Sequence, residues 1–439
     1  MNTQSSRVAA FAQMAMVMLA AVVALAGCGG GGSGATGTAN NSSQTTTTSS
    51  GTSASGTLAA SAPAPDNPSS ASVPQSTIPN VQPVVVTSTP TQTRNMLTTS
   101  VTVCAPGTAN CVTIDNVQVD TGSQGLRLLA SQLPASLALP AVAAALPAGT
   151  ATGVSGECSV FGTGFTWGAV RTADVRMASQ LASGIPIQVI GDPSVPTVPS
   201  DCAASGLPMM TPSGLRVNGI LGVGLFSVDC GGGCIASALP RWYYACDSTG
   251  ACTSSKQPVD QQVTNPISRF ALDNNGIVIE LPTVGPAGAA TVNGSIYFGI
   301  DTQANNALSG ATVLKANSIT GYVTTSLNGQ PYSQSFIDSG SNGLFFPSTT
   351  MARCGVWWCP ASLQTMTATL TGVDGTSVSP AFSVANAQTL FATRNNAFNN
   401  LGGPSSAFNW GLPFFYGRRI YTAIESRLTS AGTGPFYAF

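Results

Sequence analysis

The sequence predicts an all-β protein in which two lobes of similar design share one cleft, and three observations support this prediction. Only 7% of the 439 residues are Asp, Glu, Lys or Arg, compared with about 25% in an ordinary soluble domain. From about residue 84 onward, short β-branched runs alternate with turn residues, which is the pattern of strands and turns. One motif occurs twice, and its two copies are separated by the length of a lobe.

The first 27 residues have the pattern of a secretory signal peptide. Arg7 supplies the basic N-terminal region, and an almost unbroken apolar run covers residues 8–27. Small residues at the end of this run mark a cleavage site, which is the third feature of such signals. We therefore expect residues 1–27 to direct export and to be removed.

The end of this signal, Leu25-Ala26-Gly27-Cys28, resembles the processing site of bacterial lipoproteins. The resemblance implies that Cys28 becomes the lipidated first residue of the mature protein and attaches it to a membrane. Gly29 in place of an aspartate favours the outer membrane of the bacterial cell envelope. The alternative is a plain signal peptide or a membrane-spanning helix in which Cys28 occurs by chance.

A low-complexity segment, residues 28–80, separates this anchor from the rest of the chain and is rich in Gly, Ser, Thr, Ala and Pro. Such a composition cannot bury enough apolar surface to offset the entropy lost on ordering, so we expect a disordered linker. We expect the folded body to divide into an N-terminal lobe with the interlobe region, residues 81–300, and a C-terminal lobe, residues 301–439.

The cysteines agree with export, because ten remain once Cys28 is set aside, and an even number in an exported chain implies disulfides. Close spacing predicts the pairs Cys104–Cys111 and Cys354–Cys359 across turns, and Cys158–Cys202 is the third pair that we expect. The other four could pair locally or in a nested arrangement, and the sequence leaves this open: Cys230, Cys234, Cys246 and Cys252. A metal site is the alternative, but these spacings are not the usual ones for zinc. We expect neither a metal nor a cofactor.

The composition also excludes several kinds of chemistry. The chain contains no histidine, which rules out Ser-His-Asp triads, Cys-His pairs and His-ligated zinc. The formal net charge is −1, so there is no electrostatic basis for binding nucleic acid. Carboxylates are therefore the side chains most suited to hydrolytic chemistry.

The repeated motif places one aspartate after each of two predicted hairpins. The first copy is Asp120-Thr121-Gly122-Ser123-Gln124-Gly125-Leu126, and the second is Asp338-Ser339-Gly340-Ser341-Asn342-Gly343-Leu344. Five of the seven positions are identical, and 218 positions separate the two aspartates (120 to 338). This offset is far longer than a solenoid repeat and close to the size of a lobe.

The motif can bring two carboxylates together if the two loops face each other. A strand delivers the aspartate into a tight turn, and the glycine two residues later permits a bend that other residues resist. Two carboxylates that meet cannot both be ionised, so the pair shares one proton. The ionised member can then take a proton from water while its partner polarises a carbonyl.

These loops resemble those of the pepsin-like aspartic peptidases, and the resemblance covers roughly residues 95–439. The segment Phe161-Gly162-Thr163-Gly164 resembles the flap that closes over substrate. Residues 218–224 and 409–421 resemble the hydrophobic-hydrophobic-Gly segments beside the catalytic loops. The whole chain also resembles an uncharacterised group of bacterial lipoproteins. The resemblance implies a bilobed pepsin-like fold, two β-barrel-like lobes with a cleft between them.

The resemblance also implies a role for each residue of the two loops. Asp120 and Asp338 would hold the catalytic water, and Thr121 and Ser339 would lock the loops together. Ser123 and Ser341 would bind the outer carboxylate oxygens, and Gly122 and Gly340 would let the backbone turn.

Two positions depart from the family pattern. Phe161 stands where the flap usually carries a tyrosine, and Arg127 stands where a tryptophan is usual. The Arg127 guanidinium would either bind a substrate carboxylate or point outward.

Three functions remain open at this point. The first is a monomeric, envelope-tethered aspartic endopeptidase that acts on peptides or proteins. The second is a catalytically weak or inactive protein that binds peptide or glycan in the cleft. The third is a structural β-rich surface protein in which the two motifs are coincidental.

Overall fold

The computed structural model describes residues 78–146 and 152–439, and these residues form mostly short β-strands. The all-β prediction is therefore confirmed. The predicted signal peptide, the proposed lipidation site Cys28 and most of the predicted linker lie outside the described residues. Within the described part of the chain, no helix combines the length and the apolar character needed to cross a membrane.

Strands β1 to β14 follow one another along the first two thirds of the chain. Their bounds are β1 Val81–Val86, β2 Leu97–Cys104, β3 Cys111–Asp120, β4 Gln124–Leu129, β5 Ala143–Ala145, β6 Thr152–Phe161, β7 Gly164–Met177, β8 Gln180–Ile190, β9 Gly219–Val223, β10 Tyr243–Cys246, β11 Cys252–Ser254, β12 Gly276–Leu281, β13 Val292–Phe298 and β14 Val313–Lys315.

Strands β15 to β28 form the remainder. Their bounds are β15 Val323–Leu327, β16 Gln330–Ile337, β17 Leu344–Phe346, β18 Arg353–Cys354, β19 Trp357–Trp358, β20 Gln364–Thr371, β21 Ser377–Val378, β22 Ala381–Val384, β23 Gly402–Pro404, β24 Asn409–Trp410, β25 Arg418–Ala423, β26 Leu428–Thr429, β27 Gly432–Thr433 and β28 Phe436–Ala438.

The helices in the described residues are all short. The α-helices are Ser200–Ala203, Pro212–Leu215, Gly232–Ala236 and Ala387–Ala392, and the 3-10 helices are Ala130–Gln132, Val259–Gln261, Pro266–Arg269, Ala304–Asn306 and Leu412–Phe414.

The first lobe is built around a closed barrel within a 16-stranded sheet. Because β2 pairs with both β3 and β7, the strands β2, β3, β9, β4, β8 and β7 form a ring of six. Branched aliphatic side chains, which fit the pleated inner surface of strands, fill its interior. They include Val101, Val117, Val119, Leu126, Leu128, Ile187 and Leu221.

The second lobe has its own eight-stranded sheet, which contains β15, β16, β17, β20, β21, β22, β23 and β24. Its core is aromatic, with Phe346 stacked on Phe408 at 5.4 Å and Phe408 on Trp410 at 4.7 Å between ring centroids. The later strands β25 and β28 return to pair with β12 and β14 in the larger sheet. The strands of the second lobe's own sheet therefore lie between residues 323 and 410, and β25 and β28 belong to the larger sheet.

The two lobes repeat one arrangement of three strands at the point where the motifs occur. In the first lobe, β3 runs parallel to β9, and β4 pairs with β9 in the antiparallel sense. In the second lobe, β16 runs parallel to β24, and β17 pairs with β24 in the antiparallel sense. Each motif thus leaves its strand at a corresponding corner, and the two corners face each other.

Five disulfides cross-link the described residues. The predicted pairs Cys104–Cys111, Cys158–Cys202 and Cys354–Cys359 are confirmed. The four cysteines whose pairing was open form the local pairs Cys230–Cys234 and Cys246–Cys252. Cys158–Cys202 matters most for the site, since it ties β6, the first strand of the hairpin at 161–164, to the helix Ser200–Ala203.

Candidate active site

The two motif aspartates lie against each other at the floor of the cleft. Asp120 is the last residue of β3, and Asp338 follows β16 directly. Both side chains are buried, with 7% and 5% of their surfaces exposed, and they are close enough to share a hydrogen bond. Carboxyls separated by more than two hundred positions in sequence are therefore brought into direct contact.

Gly122 and Gly340 are required by space rather than by an unusual backbone angle. Neither Gly122 nor Gly340 has a positive φ. A Cβ atom on Gly340 would lie 2.4 Å from Asp120 Oδ1, and one on Gly122 would lie 2.7 Å from Asp338 Cγ. Each glycine thus makes room for the aspartate of the opposite lobe, which differs from the backbone bend expected from sequence.

A reciprocal set of four hydrogen bonds locks the two loops together. The Thr121 amide donates to Ser339 Oγ at 3.1 Å, and the Ser339 amide donates to Thr121 Oγ1 at 2.9 Å. Each hydroxyl then donates across the interface, Thr121 to the Ile337 carbonyl at 3.1 Å and Ser339 to the Val119 carbonyl at 2.8 Å. All four groups are buried, so separation of the loops would leave unsatisfied donors in a dry environment.

Each carboxyl also accepts two hydrogen bonds from its own loop. Asp120 accepts from the Gly122 amide at 2.8 Å and from Ser123 Oγ at 2.5 Å. Asp338 accepts from the Gly340 amide at 2.8 Å and from Ser341 Oγ at 2.6 Å. These donors fix the orientation of both groups, so that their inner oxygens face each other across the lobe boundary.

Burial dominates the electrostatics of the pair. It raises the pKa of Asp120 from the ordinary 3.8 to about 8, with a further rise from the facing Asp338 carboxyl. The hydrogen bonds from Ser123 and Gly122 oppose this rise without cancelling it. Near neutral pH, Asp120 therefore keeps its proton, because two carboxyls in such close contact cannot both be ionised.

A cleft of about 710 Å³ opens above the pair, and both lobes line it. Apolar side chains make up most of its walls, including Met96, Met209, Leu215, Ile220, Phe336, Phe345 and Trp357. A cleft of this size accommodates several side chains of a ligand, and a few polar groups among apolar walls are typical of binding sites.

The segment predicted as a flap forms the tip of a long hairpin over this cleft. Phe161 in β6 pairs with Gly164 in β7, and Gly162 and Thr163 form the turn between them. Phe161, Gly162 and Thr163 all line the cleft. At its own position, Phe161 offers a ligand an aromatic ring and no hydroxyl.

Arg127 does not point outward, so that sequence-based expectation is wrong. Arg127 lines the cleft, but its side chain is 2% exposed, and its guanidinium binds Glu157 at 2.5 Å and Asp229 at 3.2 Å. Its contact with a substrate carboxylate stays a prediction. Tyr243 donates to the other oxygen of Asp229 at 2.6 Å. The ring of Phe161 lies 5.9 Å from the guanidinium carbon, so this buried network lies against the tip of the flap.

Burial also acts on the acids of this network. Burial, followed by the nearby Glu157 carboxylate, raises the pKa of Asp229 well above its ordinary value. Arg127 contacts both acids as a buried ion-pair partner. Burial alone would make such a pair costly, but its hydrogen bonds to neighbours offset part of that cost.

Sequence reasoning missed four side chains that shape this site. Glu157 and Asp229 were missed because their partner Arg127 is remote from both in sequence. Gln118 lies in a segment recognised only for its strand pattern, and Asn409 lies in a segment recognised only for its resemblance to a hydrophobic-hydrophobic-Gly segment. A polar amide at an otherwise apolar position beside each motif was the available signal.

Comparison with known proteins places the chain in a wider context. Residues 76–439 match the family described as "Protein of unknown function (DUF3443)". The structure is similar to the crystal structure of an aspartic proteinase from Irpex lacteus, with 14% sequence identity and a TM-score of 0.47. The alignment covers 82% of this chain and 96% of that chain. No curated protein matches the chain in sequence.

Because Arg127 is the cation of a buried network, we expect its removal to lower the stability of the protein strongly. Arg127→Met leaves the Glu157 charge buried without a partner, so we expect the free energy of unfolding to fall by about 3–5 kcal/mol. Chemical denaturation followed by tryptophan fluorescence measures this change. The matched control is Arg269→Met, because Arg269 is exposed and its loss should change stability by no more than about 0.5 kcal/mol. Combining Arg127→Met with Glu157→Gln should restore part of the loss; a fully stable Arg127→Met protein would contradict this account.

The raised pKa of Asp120 predicts a pH dependence of stability. Asp120 binds its proton more tightly in the folded protein than in the unfolded chain, so its contribution to the free energy of unfolding is complete below about pH 4. That contribution is lost as the pH rises through about 8. The free energy of unfolding should therefore decline over this range in the wild type and decline less in Asp120→Asn, as measured by denaturation at a series of pH values.

Asp247→Asn is the control for this titration. Hydrogen bonds from Thr249 and Ala251 lower the pKa of Asp247, so that group is already ionised throughout the range. The slope of the free energy of unfolding against pH should therefore be the same in Asp247→Asn as in the wild type. Equal slopes for the wild type and Asp120→Asn would show that Asp120 does not hold a proton in the folded protein.

Proposed function

This chain belongs to the DUF3443 family, and we propose that it is a pepsin-like aspartic endopeptidase in which Asp120 and Asp338 activate water against a peptide carbonyl. The observation that carries the proposal is the contact between two buried carboxyls at the floor of a cleft. Carboxyl pairs of this kind supply a base and an acid at the same place. The chain has no histidine to serve either role.

The proposed reaction uses the two protonation states together. A water molecule between the carboxyls gives a proton to the ionised aspartate as its oxygen attacks the carbonyl carbon. The protonated aspartate donates its hydrogen bond, and then its proton, to the carbonyl oxygen. The burial of both groups strengthens these interactions, because little solvent competes for them.

An extended peptide or protein segment is the substrate class that suits the cleft. The walls offer apolar pockets from both lobes, and the hairpin tip at Phe161 lines the same cleft as the dyad. An extended chain would run between the lobes beneath this hairpin and present a carbonyl to the carboxyl pair. We propose that the chain works as a monomer, since both halves of the site come from one polypeptide.

We also propose that the enzyme works in the bacterial envelope, tethered through Cys28. The signal-like N-terminus and the lipoprotein-like processing site support this location. Five disulfides in the described residues agree with an oxidising compartment.

One observation favours a second candidate function, a protein that binds peptide or glycan in the cleft without cleaving it. The flap carries Phe161 at the position where the pepsin-like peptidases usually carry a tyrosine, so that position has no hydroxyl. This candidate predicts ligand binding without turnover, and it predicts that binding survives substitution of either aspartate.

Cleavage of a quenched peptide library by the purified full chain, between about pH 3 and pH 9, tests the proposal. We expect turnover that falls as the pH rises through about 8, where Asp120 loses its proton. Asp120→Asn and Asp338→Asn should each reduce the rate by about a thousandfold or more. The matched control is Asp260→Asn, an exposed acid whose loss should leave the rate unchanged.

Two outcomes would reject the peptidase. Equal cleavage by the wild type and either dyad variant would assign the activity to another group or to a contaminant. Binding of library peptides with no turnover at any pH would favour the second candidate instead.

A further inference from the structure

The two lobes match in backbone around the dyad but differ in one pair of side chains. In the first lobe, Gln118 in β3 lies opposite Ile220 in β9. In the second lobe, Phe336 in β16 lies opposite Asn409 in β24. Asn409 therefore occupies the position that corresponds to Ile220, so an amide stands beside Asp338 where an aliphatic side chain stands beside Asp120.

Asn409 makes direct contact with the carboxyl of its lobe. Its side chain is 2% exposed, and Nδ2 lies 3.1 Å from Asp338 Oδ2 and 2.7 Å from Ser341 Oγ. The opposite amide orientation would turn the carbonyl oxygen toward a carboxylate, which repels it. Among the described residues, Asn409 Oδ1 has no hydrogen-bond partner, so the contacts of Nδ2 account for how the side chain is held.

The contact between Asn409 and Ser341 also strengthens the hydrogen bond that Ser341 donates to Asp338. Because Ser341 Oγ accepts a hydrogen bond from Asn409, its own proton remains free to be donated to Asp338. Hydrogen bonds in such a chain polarise one another and become stronger together. Asp338 thus accepts from Gly340, Ser341 and Asn409, whereas Asp120 accepts from Gly122 and Ser123.

A second amide supports the same loop from the opposite lobe. Gln118 Nε2 donates to the Gly340 carbonyl at 2.8 Å. This bond crosses the lobe boundary and holds Gly340, the residue whose amide donates to the Asp338 carboxyl. Both amides near the dyad therefore serve the Asp338 loop, and the asymmetry is larger than one hydrogen bond.

We propose that Asn409 is a positioning residue that keeps the negative charge of the dyad on Asp338 and the shared proton on Asp120. Hydrogen bonds to a carboxylate favour its charged form. The carboxyl with three donors therefore holds the charge, and the carboxyl with two donors holds the proton.

The other ionisable groups near the pair do not reverse this assignment. Tyr437 faces the dyad from β28, and its burial, followed by the charge of Asp338, raises its pKa, so it stays neutral. Burial likewise raises the pKa of Tyr322 in the cleft wall. Arg127, Glu157 and Asp229 lie toward the flap, where Arg127 pairs with both acids.

The assignment gives each aspartate a defined part in peptide hydrolysis. Asp338 takes a proton from water as the water oxygen bonds to the carbonyl carbon, and Asp120 gives its proton to the carbonyl oxygen. In the second step, Asp338 passes its proton to the amide nitrogen as the C–N bond breaks. Asp120 recovers a proton from one of the two hydroxyls, so the enzyme returns to its starting state.

This catalytic meaning rests on the proposed function, but the position of the proton can be measured without turnover. The full chain labelled with ¹³C at the aspartate carboxyl carbons is titrated by NMR, with Asp120→Asn and Asp338→Asn used to assign the two signals. In the wild type, the Asp120 carbon should keep its protonated shift up to about pH 8, while the Asp338 carbon shows the ionised shift.

Asn409→Leu removes the amide while preserving side-chain size. The fraction of molecules with the proton on Asp338 should rise by about tenfold or more, which is the effect of one hydrogen bond to a charged group. Ile220→Leu is the matched control at the corresponding position, and it should leave the distribution unchanged. If Asn409→Leu fails to fold, Ile220→Asn provides the reverse test, because a new donor beside Asp120 should also move the proton toward Asp338.

Two results would overturn the inference: a wild-type proton on Asp338, or an unchanged distribution in a folded Asn409→Leu protein. Either would leave the peptidase proposal standing if the library is cleaved. Conversely, a protein that cleaves no peptide but shows the expected proton shift would support the role of Asn409 and reject only the peptidase.

Discussion

The hydrogen-bonded lock between Thr121 and Ser339 is the interaction on which the rest of the site depends. It holds two loops from different lobes so close that each aspartate occupies the space a side chain would need on the opposite glycine. Two carboxyls confined in this way, with little solvent around them, cannot both be charged. The shared proton is thus a consequence of how the lobes are joined.

The fold surrounds this symmetric core with asymmetric polar groups. The two lobes use the same three-strand arrangement, yet the amides of Gln118 and Asn409 both act on the loop of the second lobe. On the first-lobe side, Arg127 and its acidic partners form a separate network beneath the flap. Since that network compensates its own charge, it shapes the cleft without supplying a cation to the dyad.

The sequence was sufficient for those parts of the site that repeat or that are local. The motifs at Asp120 and Asp338 could be recognised because the same residues recur at lobe spacing, and close cysteines indicated their own pairing. It was not sufficient where interacting residues are remote in sequence. It was also not sufficient where several disulfide pairings had similar separations, as for Cys230, Cys234, Cys246 and Cys252. The burial of Arg127 depends on barrel closure, and the contact of Asn409 depends on the pairing of β16 with β24, which sequence spacing does not specify.

The most direct test of the central claim is a neutron crystal structure of the chain at about pH 6, midway between the ordinary and raised pKa of Asp120. The account predicts that the Asp120 and Asp338 carboxyls lie in hydrogen-bond contact with one deuteron between them, bonded to Asp120. Carboxyls that point into separate solvent pockets, or that carry two deuterons or none, would contradict it.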